Sequence, residues 1–333
     1  MMKKILTRLI QYQQLEKEEA KQIIIKIADG QYNTSQIASF LTIFMMRNIS
    51  LDELEGFREA LQELCINVDL SEFNTIDLCG TGGDGKNTFN ISTLSSFVTA
   101  GAGIKVSKHG NYGVSSGCGS SNVLEAIGVK FSNDKDYLKR SIEKAGICFL
   151  HAPLFHPAMK NVAPVRKQLG LKTFFNILGP IVNPSFPKNQ LIGVFSLELA
   201  RLYSYLFQKT NINYTILHGL DGYDEISLTG NTKIYTKKSE NILSPEDFGV
   251  IPTKPESISG GGKDVSSSVK IFMDIIKNNG TDAQNNVVCA NAGMAIATIL
   301  KVSHIEGFEK AKESLESGKA LQSLVKLQNL SKK

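Results

Sequence analysis

Beyond residue 74 the chain alternates short apolar runs with helical stretches, and this alternation limits its fold more than any other feature. The runs predict five strands, at Thr75–Leu78, Ile104–Ser107, Ile147–Leu150, Gln190–Phe195 and Tyr214–Leu217. Helical periodicity separates several of them, near Thr93–Ala102, Asp134–Ala145 and Leu197–Gln208. Strands that alternate with helices predict an α/β domain whose central sheet is mostly parallel and is flanked by helices.

The first 70 residues carry only helical patterns. Leu15–Ile27 is amphipathic, and Ser50 with Glu53 forms a capping box that opens a helix ending near Leu64. We therefore expect a small helical lobe over residues 1–70 and a large α/β domain over residues 71–333.

The C-terminal part is predicted to leave the alternating pattern. Residues 233–264 contain charges, prolines and the run Gly260–Gly262, which indicates a strand and loop excursion. Three helical patterns then close the chain, at Val269–Lys277, Ala283–Leu300 and Ile305–Leu327.

The composition is that of an ordinary globular protein. Of 333 residues, 42% are apolar and 21% are charged, which excludes wholesale disorder and collagen-like or coiled-coil folds. Lysine and arginine together (37) exceed aspartate and glutamate (32) by five, and the excess is spread along the chain. Nucleic-acid binders more often cluster their basic residues. The small excess therefore fits a protein that handles a small anion, and no nucleic-acid partner is expected.

Cysteines and apolar stretches predict a cytoplasmic protein with no membrane partner. The five cysteines are odd in number and form no C-x-x-C pair, so we expect reduced thiols. The N-terminal apolar stretch is interrupted by Arg8, which argues against a secretory leader. The longest uncharged apolar stretch, near Phe40–Met46, is far shorter than the roughly 20 residues that a membrane helix needs.

The first motif with chemical content is the glycine-rich sequence Asp77–Asp84, which precedes a helix starting near Ser92. Glycines let the backbone approach a phosphate closely, and the N–H groups of a turn and a helix start are donors for it. Asp84 in such a loop would face a sugar hydroxyl or a metal, because a carboxylate repels phosphate. The alternative is a simple tight turn, since the motif matches neither a P-loop nor the spaced dinucleotide fingerprint.

A second polar stretch, Lys108–Ser121, follows the next predicted strand. It contains four glycines, four serines and one lysine, which favours a second phosphate cradle. In an open α/β sheet such loops lie together at the carboxyl ends of the strands. A mobile surface loop is the alternative.

An acidic pair, Asp224–Glu225, follows the predicted strand Tyr214–Leu217. Adjacent carboxylates in a loop suit Mg²⁺, which takes oxygen ligands and usually keeps several waters. A solvated acidic turn is the ordinary interpretation of such a pair. The presence of two predicted phosphate loops favours a metal site over a solvated turn at this pair.

A further cluster contains His156–Lys160, Arg166 and Thr173–Pro180. Arg166 could pair bidentately with a carboxylate or a phosphate, although an isolated arginine is more often a surface residue. The histidines do not have metal-ligand spacing.

Taken in chain order, these segments resemble the anthranilate phosphoribosyltransferase family, within the superfamily of nucleoside phosphorylases and phosphoribosyltransferases. The resemblance spans nearly the whole chain and rests on Gly80–Asp84, Asn90–Thr93, Lys108–Asn111, His156–Arg166, Asn176–Pro180 and Asp224–Glu225. It implies a helical lobe and an α/β domain, with the lobe completed by a segment near residues 166–180. It also implies a homodimer paired through the lobes.

The implied activity is transfer of the phosphoribosyl group of 5-phosphoribosyl 1-pyrophosphate to the amine of anthranilate, the second step of tryptophan biosynthesis from chorismate. The products would be N-(5-phosphoribosyl)anthranilate and pyrophosphate, and the implied cofactor is Mg²⁺, with two ions. A pyrimidine-nucleoside phosphorylase is one alternative, although such enzymes usually carry Lys-His-Ser where this chain has Lys108–Gly110. A non-catalytic nucleic-acid-binding paralogue is another, and it would be expected to lack the metal pair.

The resemblance also implies the site residues. Phosphoribosyl pyrophosphate would be bound by Gly80, Gly83, Asp84, Thr88, Asn90, Ile91, Ser92, Thr93, Lys108, His109, Gly110, Asn111, Tyr112, Gly113, Val114, Ser115, Ser116 and Ser120. Anthranilate would contact Gly80, Asn111 and Arg166, and Mg²⁺ would be served by Ser92, Asp224 and Glu225.

Two of these residues are considered for the reaction itself. Lys108 would neutralise the departing pyrophosphate, and His109 is a candidate for shuttling the amine proton. The chain departs from the family at Tyr112–Gly113, where Arg-Ala is common, so one positive side chain is lost there.

Overall fold

The computed structural model describes residues 2–113, 117–260 and 264–332. The chain forms two compact units. The first, the helical unit, comprises Met1–Asn67 and Ala152–Pro184, and the second, the α/β unit, comprises Val68–His151 and Ser185–Lys333. The segment that returns to the helical unit is therefore longer than the predicted 166–180.

The helical unit contains four helices in its first segment and three short ones in its second. They are α1 (Met2–Ile10), α2 (Lys17–Ala28), α3 (Thr34–Met46), α4 (Leu51–Glu63), α8 (Ala152–Phe155), α9 (Ala163–Leu169) and α10 (Phe175–Leu178), and two 3₁₀ turns occupy Pro157–Asn161 and Gly179–Ile181. The predicted capping box is confirmed, since the side chains of Ser50 and Glu53 bond reciprocally to backbone N–H groups at the start of α4.

An aromatic cluster connects the two segments of the helical unit. Phe40, Phe44 and Phe57 come from α3 and α4, and Phe174 comes from the return segment. Phe57 and Phe174 stack with ring centroids 4.5 Å apart, and Phe44 meets Phe174 edge to face at 5.3 Å. The burial of these rings explains why residues so distant in the sequence form one unit.

The α/β unit is built on a sheet in which seven strands are described. They are β1 (Ile76–Gly80), β2 (Val106–Gly110), β3 (Ile147–His151), β4 (Asn189–Gly193), β5 (Asn213–Gly219), β6 (Thr232–Thr236) and β7 (Glu240–Leu243). Their order is β3-β2-β1-β4-β5-β6-β7, with β1 to β5 parallel and β6 and β7 antiparallel. The predicted fold class and all five predicted strands are confirmed.

Helices flank this sheet. They are α5 (Ile91–Gly101), α6 (Ser120–Ala126), α7 (Lys135–Ala145), α11 (Leu197–Gln208), α12 (Val265–Ile276), α13 (Asp282–Leu300), α14 (His304–Glu316) and α15 (Lys319–Ser331). Helix α13 is buried continuously from Val287 to Thr298 and packs against β4, β5 and α5.

The single helix predicted over Ile305–Leu327 is wrong. The chain breaks between α14 and α15, where Gly318 adopts a left-handed conformation with φ of 74°. Glycine reaches this region without the steric penalty that other residues meet, so it lets the helix end and a second one start.

By length and apolar composition, no single helix within the three described ranges could cross a membrane. Helices α13 and α14 pass that test only as a pair, and they are bent by 119° relative to each other.

Candidate active site

Three loops of the α/β unit leave the sheet at one edge. Strands β1, β2, β4 and β5 run parallel, and each ends on a glycine: Gly80, Gly110, Gly193 and Gly219. The sheet order changes direction between β1 and β4, because the chain passes from β1 outward to β2 and β3 before it returns at β4. Open α/β sheets bind ligands at such a switch point.

The glycine loop after β1 is hydrogen-bonded directly to the acidic loop after β5. The N–H of Gly82 donates to Oδ2 of Asp224 at 2.7 Å, and the N–H of Ser92 donates to Oε1 of Glu225 at 3.0 Å. Thr88 Oγ1 also donates to Oε2 of Glu225, at 3.3 Å. Two motifs more than 130 residues apart in sequence therefore form one site.

The loop after β2 joins the same assembly through Asn90. Its Nδ2 donates to the carbonyl of Cys118 at 3.1 Å. Within this loop the carbonyl of Asn111 accepts from the N–H of Ser121 at 3.1 Å and from Oγ of Ser120 at 3.3 Å. Val114, Ser115 and Ser116, also predicted to bind phosphoribosyl pyrophosphate, lie outside the described residues.

The site depends on glycine at two strand ends. A Cβ built on Gly80 would lie 2.5 Å from Oδ2 of Asp224, and one on Gly193 would lie 2.8 Å from the carbonyl carbon of Asp224 and closer still to its oxygen. Real side chains do not tolerate such approaches. Both glycines therefore leave the space into which the acidic loop folds.

Carboxylates in this assembly are close enough to raise one another's pKa. Burial, followed by the charge of Asp84, raises the pKa of Asp224 to about 7. Removal from water, followed by the charge of Asp224, raises the pKa of Glu225 well above its usual value. A bound cation would lower both pKa values, because it favours the charged form of each carboxylate.

The donor set fits a divalent cation of the Mg²⁺ class. A small cavity of about 20 Å³, enough for a water molecule or a small ion, is lined in part by Gly80, Ser92, Asp224, Glu225 and Asn291. Within the described part of the chain, no group of three or more His, Cys, Asp or Glu side chains is arranged to hold a metal by itself. Mg²⁺ is usually bound by one or two carboxylates together with water and substrate phosphates, and Asp224 and Glu225 offer two such carboxylates.

Several predicted site residues are buried under the loops. The side chains of Ile91, Thr93, Lys108 and His109 are each at most 3% exposed. Nζ of Lys108 donates to the carbonyl of Leu78 at 2.6 Å, inside the sheet. The structure therefore does not direct this ammonium into the open part of the site, and its electrostatic role stays a prediction, as does proton transfer by His109.

Tyr112 takes the place of the family's usual arginine and is held by its neighbours. Its hydroxyl lies 3.3 Å from both carboxylate oxygens of Glu125, and its ring meets that of His151 edge to face at 4.9 Å. The following Gly113 donates its N–H to Oδ1 of Asn122 at 3.0 Å. The substitution therefore replaces a cation by an aromatic ring that contacts Glu125 and His151.

Arg166 belongs to the helical unit, on α9. Its Nη2 donates to Oδ1 of Asn176 at 3.3 Å, and its guanidinium lies 5.5 Å from the ring centroid of Phe175. His156 in the same unit is buried, which lowers its pKa to about 4, so it is neutral at pH 7.

The cysteines are not paired in the part of the chain that the structure describes. All five cysteines are free thiols. Burial raises the pKa of Cys79 and of Cys289 to about 12, which keeps both protonated. A thiol that stays protonated is a poor nucleophile, so these two positions do not favour a nucleophilic role.

Sequence reasoning missed two residues of this site. Gly193 ends β4 and makes room for Asp224, and its position at the end of a predicted strand was the available signal. Asn291 lines the small cavity from α13, and its signal was a single amide in an otherwise apolar helical run.

Comparisons with known proteins match the whole of this architecture. Residues 72–321 match the glycosyl transferase family α/β domain, and residues 3–65 match the helical bundle domain of the same family. The chain is 68% identical over 330 residues to anthranilate phosphoribosyltransferase from Flavobacterium psychrophilum, covering 99% of this chain and 100% of that protein. The chain belongs to the anthranilate phosphoribosyltransferase family.

Solved structures of this family have the same fold. Anthranilate phosphoribosyltransferase from Thermus thermophilus superposes with a TM-score of 0.91 at 32% identity, covering 98% of this chain and 99% of that one. The Saccharomyces cerevisiae enzyme in complex with phosphoribosyl pyrophosphate and Mg gives a TM-score of 0.90 at 26% identity, covering 99% and 98%. The same enzyme with 4-fluoroanthranilate gives 0.87 at 25% identity, covering 99% and 97%.

Proposed function

We propose that this protein transfers the phosphoribosyl group of 5-phosphoribosyl 1-pyrophosphate to the amine of anthranilate, releasing pyrophosphate. Membership of the anthranilate phosphoribosyltransferase family supports this activity. The observation that carries it in this chain is the pair of hydrogen bonds that joins the glycine loop to Asp224 and Glu225. They bring the glycine loop, the start of α5 and two candidate cation ligands to one place.

The phosphoribosyl pyrophosphate site is proposed at the loops after β1 and β2. Gly83 has φ of 79°, a left-handed turn conformation that glycine adopts without strain, and Ser92 lies in the first turn of α5. N–H groups at a glycine loop and a helix start bind phosphate oxygens well. The remaining residues implied by the resemblance, including Thr88, Asn90 and Ser120, would complete this site.

Asp224, Glu225 and Ser92 would hold Mg²⁺, and we propose two ions because of the adjacent carboxylate of Asp84. When bound, Mg²⁺ would neutralise the charge of the pyrophosphate oxygens. The support is the pKa of Asp224, which burial and then the charge of Asp84 raise to about 7 and which a bound cation would lower.

The residues of this chain are proposed to act by positioning and charge. Anthranilate carries an aromatic amine that is uncharged at pH 7, so it can attack the anomeric carbon without a strong base. The difficult event is cleavage of the anomeric C–O bond, which builds positive charge on the sugar and negative charge on pyrophosphate. Loop N–H groups oriented toward the leaving group would stabilise that charge without reorganising.

Anthranilate recognition is proposed for Gly80, Asn111 and Arg166. The guanidinium of Arg166 would pair with the anthranilate carboxylate. Its contacts with Asn176 and Phe175 restrict its rotamers, so less freedom is lost on binding.

The test is a direct assay of the purified full chain. Anthranilate, phosphoribosyl pyrophosphate and Mg²⁺ are mixed with the protein, and the loss of anthranilate fluorescence is followed. We expect turnover that requires all three, and none with pyrimidine nucleoside and phosphate. Phosphate-dependent nucleoside cleavage without anthranilate turnover would reject the proposal, as would tight salt-sensitive nucleic-acid binding without turnover.

The assembly and location of the protein are further proposals. We propose a homodimer paired through the helical unit, because that unit exposes large apolar side chains at Ile10, Tyr12 and Met46. We also propose a cytoplasmic location, which the five free thiols support. The helical and α/β units are proposed as the two domains.

A further inference from the structure

Helix α13 carries a buried amide beside the acidic loop. Asn291 is 4% exposed and lies in the continuously buried stretch from Val287 to Thr298. An amide removed from water costs free energy unless its polar atoms are bonded. The contacts of this side chain therefore indicate what it does.

All the strong hydrogen bonds of the Asn291 amide go to backbone groups. Oδ1 accepts from the N–H of Ile226 at 3.0 Å, and Nδ2 donates to the carbonyl of Ile226 at 2.8 Å. Nδ2 also donates to the carbonyl of Val287, one turn back in α13, at 2.9 Å. One side chain thus satisfies both backbone groups of a residue outside its own helix, much as a neighbouring strand would.

Ile226, the residue bound by this amide, directly follows Asp224 and Glu225 in the sequence. On the other side of the pair, the carbonyl of Tyr223 accepts from the N–H of Gly219 at 2.9 Å. The two carboxylates therefore lie on a span of backbone fixed at both ends.

We propose that Asn291 is a positioning residue for the divalent-cation site, holding in place the backbone span that carries Asp224 and Glu225. The proposal rests on the metal role of this pair given above. The hydrogen bonds of the Asn291 side chain go to backbone groups. It acts through Ile226, so its loss changes the affinity for the cation more than the reaction step.

A purely structural role would be the alternative, in which the amide only fastens α13 to the sheet. Thr298 provides the matched control on the same helix. Its hydroxyl bonds with that of Thr215 on β5 at 2.7 Å, it is 8% exposed, and it lies seven residues beyond Asn291. Thr298→Val removes a buried hydrogen bond between α13 and the sheet without touching the acidic loop.

The experiment compares Asn291→Ala, Asn291→Asp and Thr298→Val in the full chain. Mn²⁺ replaces Mg²⁺ as the probe, and its binding is measured by electron paramagnetic resonance, with Tm as the measure of folding. Asn291→Asp keeps the side-chain volume, but its second oxygen would face the carbonyls of Ile226 and Val287. We expect both Asn291 variants to bind Mn²⁺ about 10- to 100-fold more weakly, the usual range when the support of a metal ligand is lost.

Turnover separates positioning from chemistry. For both Asn291 variants we expect a raised apparent KM for Mg²⁺, whereas kcat at saturating Mg²⁺ stays within about threefold of the wild type and KM for anthranilate is unchanged. Thr298→Val should lower Tm and leave Mn²⁺ affinity as in the wild type.

Equal Mn²⁺ affinity in the wild type and the folded Asn291 variants would overturn the inference, as would an equal loss in Thr298→Val. A failure of the proposed enzymatic function would look different. The wild type would then turn over no anthranilate, and the comparison of Mn²⁺ affinities among the variants would still be measured.

Discussion

Gly193 of β4 lies against the backbone of Asp224, so closely that a Cβ at position 193 would be 2.8 Å from the carbonyl carbon of Asp224. The acidic loop can fold over the end of β4 only because that strand ends without a side chain. The geometry of the proposed cation site is thus fixed by a residue with no polar side chain of its own.

Gly193→Ala should therefore inactivate the enzyme without unfolding it. The added methyl group displaces the loop, and forcing a group into a packed site costs about 1–3 kcal/mol. We expect a loss of Mn²⁺ affinity and of turnover, measured as above. The control is Ile192→Val on the same strand, which removes one buried methyl group and should keep both. Normal turnover by Gly193→Ala would show that the loop does not need this position.

A pH dependence of stability follows from Asp224. Its pKa is about 7 in the folded protein against an ordinary 3.8, so between these values the folded state holds a proton that the unfolded state has lost. The contribution of Asp224 to the free energy of unfolding is therefore greatest below pH 4 and is lost as the pH rises through 7. We expect the Tm of the metal-free protein to fall between pH 5 and pH 8.

Asp224→Asn tests the source of that fall. The asparagine side chain has the shape of aspartate but cannot ionise. The Tm of the variant should therefore fall less than that of the wild type between pH 5 and pH 8. The slope should not vanish, because Glu225 also has a raised pKa. Mg²⁺ should restore the Tm of the wild type at pH 8 more than at pH 5, since protons compete with the cation. Parallel Tm curves for the wild type and Asp224→Asn would contradict this account.

A different carboxylate, Glu53, is predicted to control the stability of the helical unit. It is fully buried, pairs with Arg47, and accepts from the N–H of Leu15 at 3.0 Å. Glu53→Ala leaves the Arg47 charge without its partner, which costs about 3–5 kcal/mol. Urea unfolding should show this loss. Glu59→Ala, which breaks an exposed pair with Lys17, should cost about 1 kcal/mol or less.

Sequence reasoning located the site because parallel strands deliver their following loops to one edge of a sheet. Asp224–Glu225 could be placed beside Gly80–Asp84 on that basis alone. Burial was harder to foresee. Lys108 directly follows a predicted strand, so the sequence allowed its side chain to face the loop site. In the structure its ammonium is buried and donates to the carbonyl of Leu78. Which residues at a strand end turn inward depends on side-chain packing, which the sequence pattern does not show.

Two other features of the structure could not be predicted from local sequence patterns. Asn291 reaches a loop residue 65 positions away, and only the whole fold brings them together. The break at Gly318 was missed because an isolated glycine is tolerated within a helical pattern, so periodicity by itself did not separate α14 from α15.

The proposed dimer predicts the effect of charges on the helical unit. Met46 is 74% exposed and Tyr12 is 72% exposed, on or beside two helices that pack together. Met46→Asp should convert a dimer to a monomer in analytical ultracentrifugation, because a charge buried in an apolar interface is costly. Ile251→Asp, at an 85% exposed apolar position in the α/β unit, should leave the assembly unchanged. A dimer that survives Met46→Asp would place the interface elsewhere.

Arg166 is predicted to act on anthranilate alone. A guanidinium paired with a carboxylate contributes about 1.5–3 kcal/mol, so Arg166→Ala should raise KM for anthranilate by about 10- to 100-fold. KM for phosphoribosyl pyrophosphate should change little. Arg166→Lys retains the charge but not the two parallel N–H donors of the guanidinium. Its KM for anthranilate should lie between those of the wild type and Arg166→Ala. The control is Lys167→Ala, an exposed neighbour on the same helix. An unchanged KM for anthranilate in Arg166→Ala would remove this residue from the substrate site and leave it a structural role through Asn176 and Phe175.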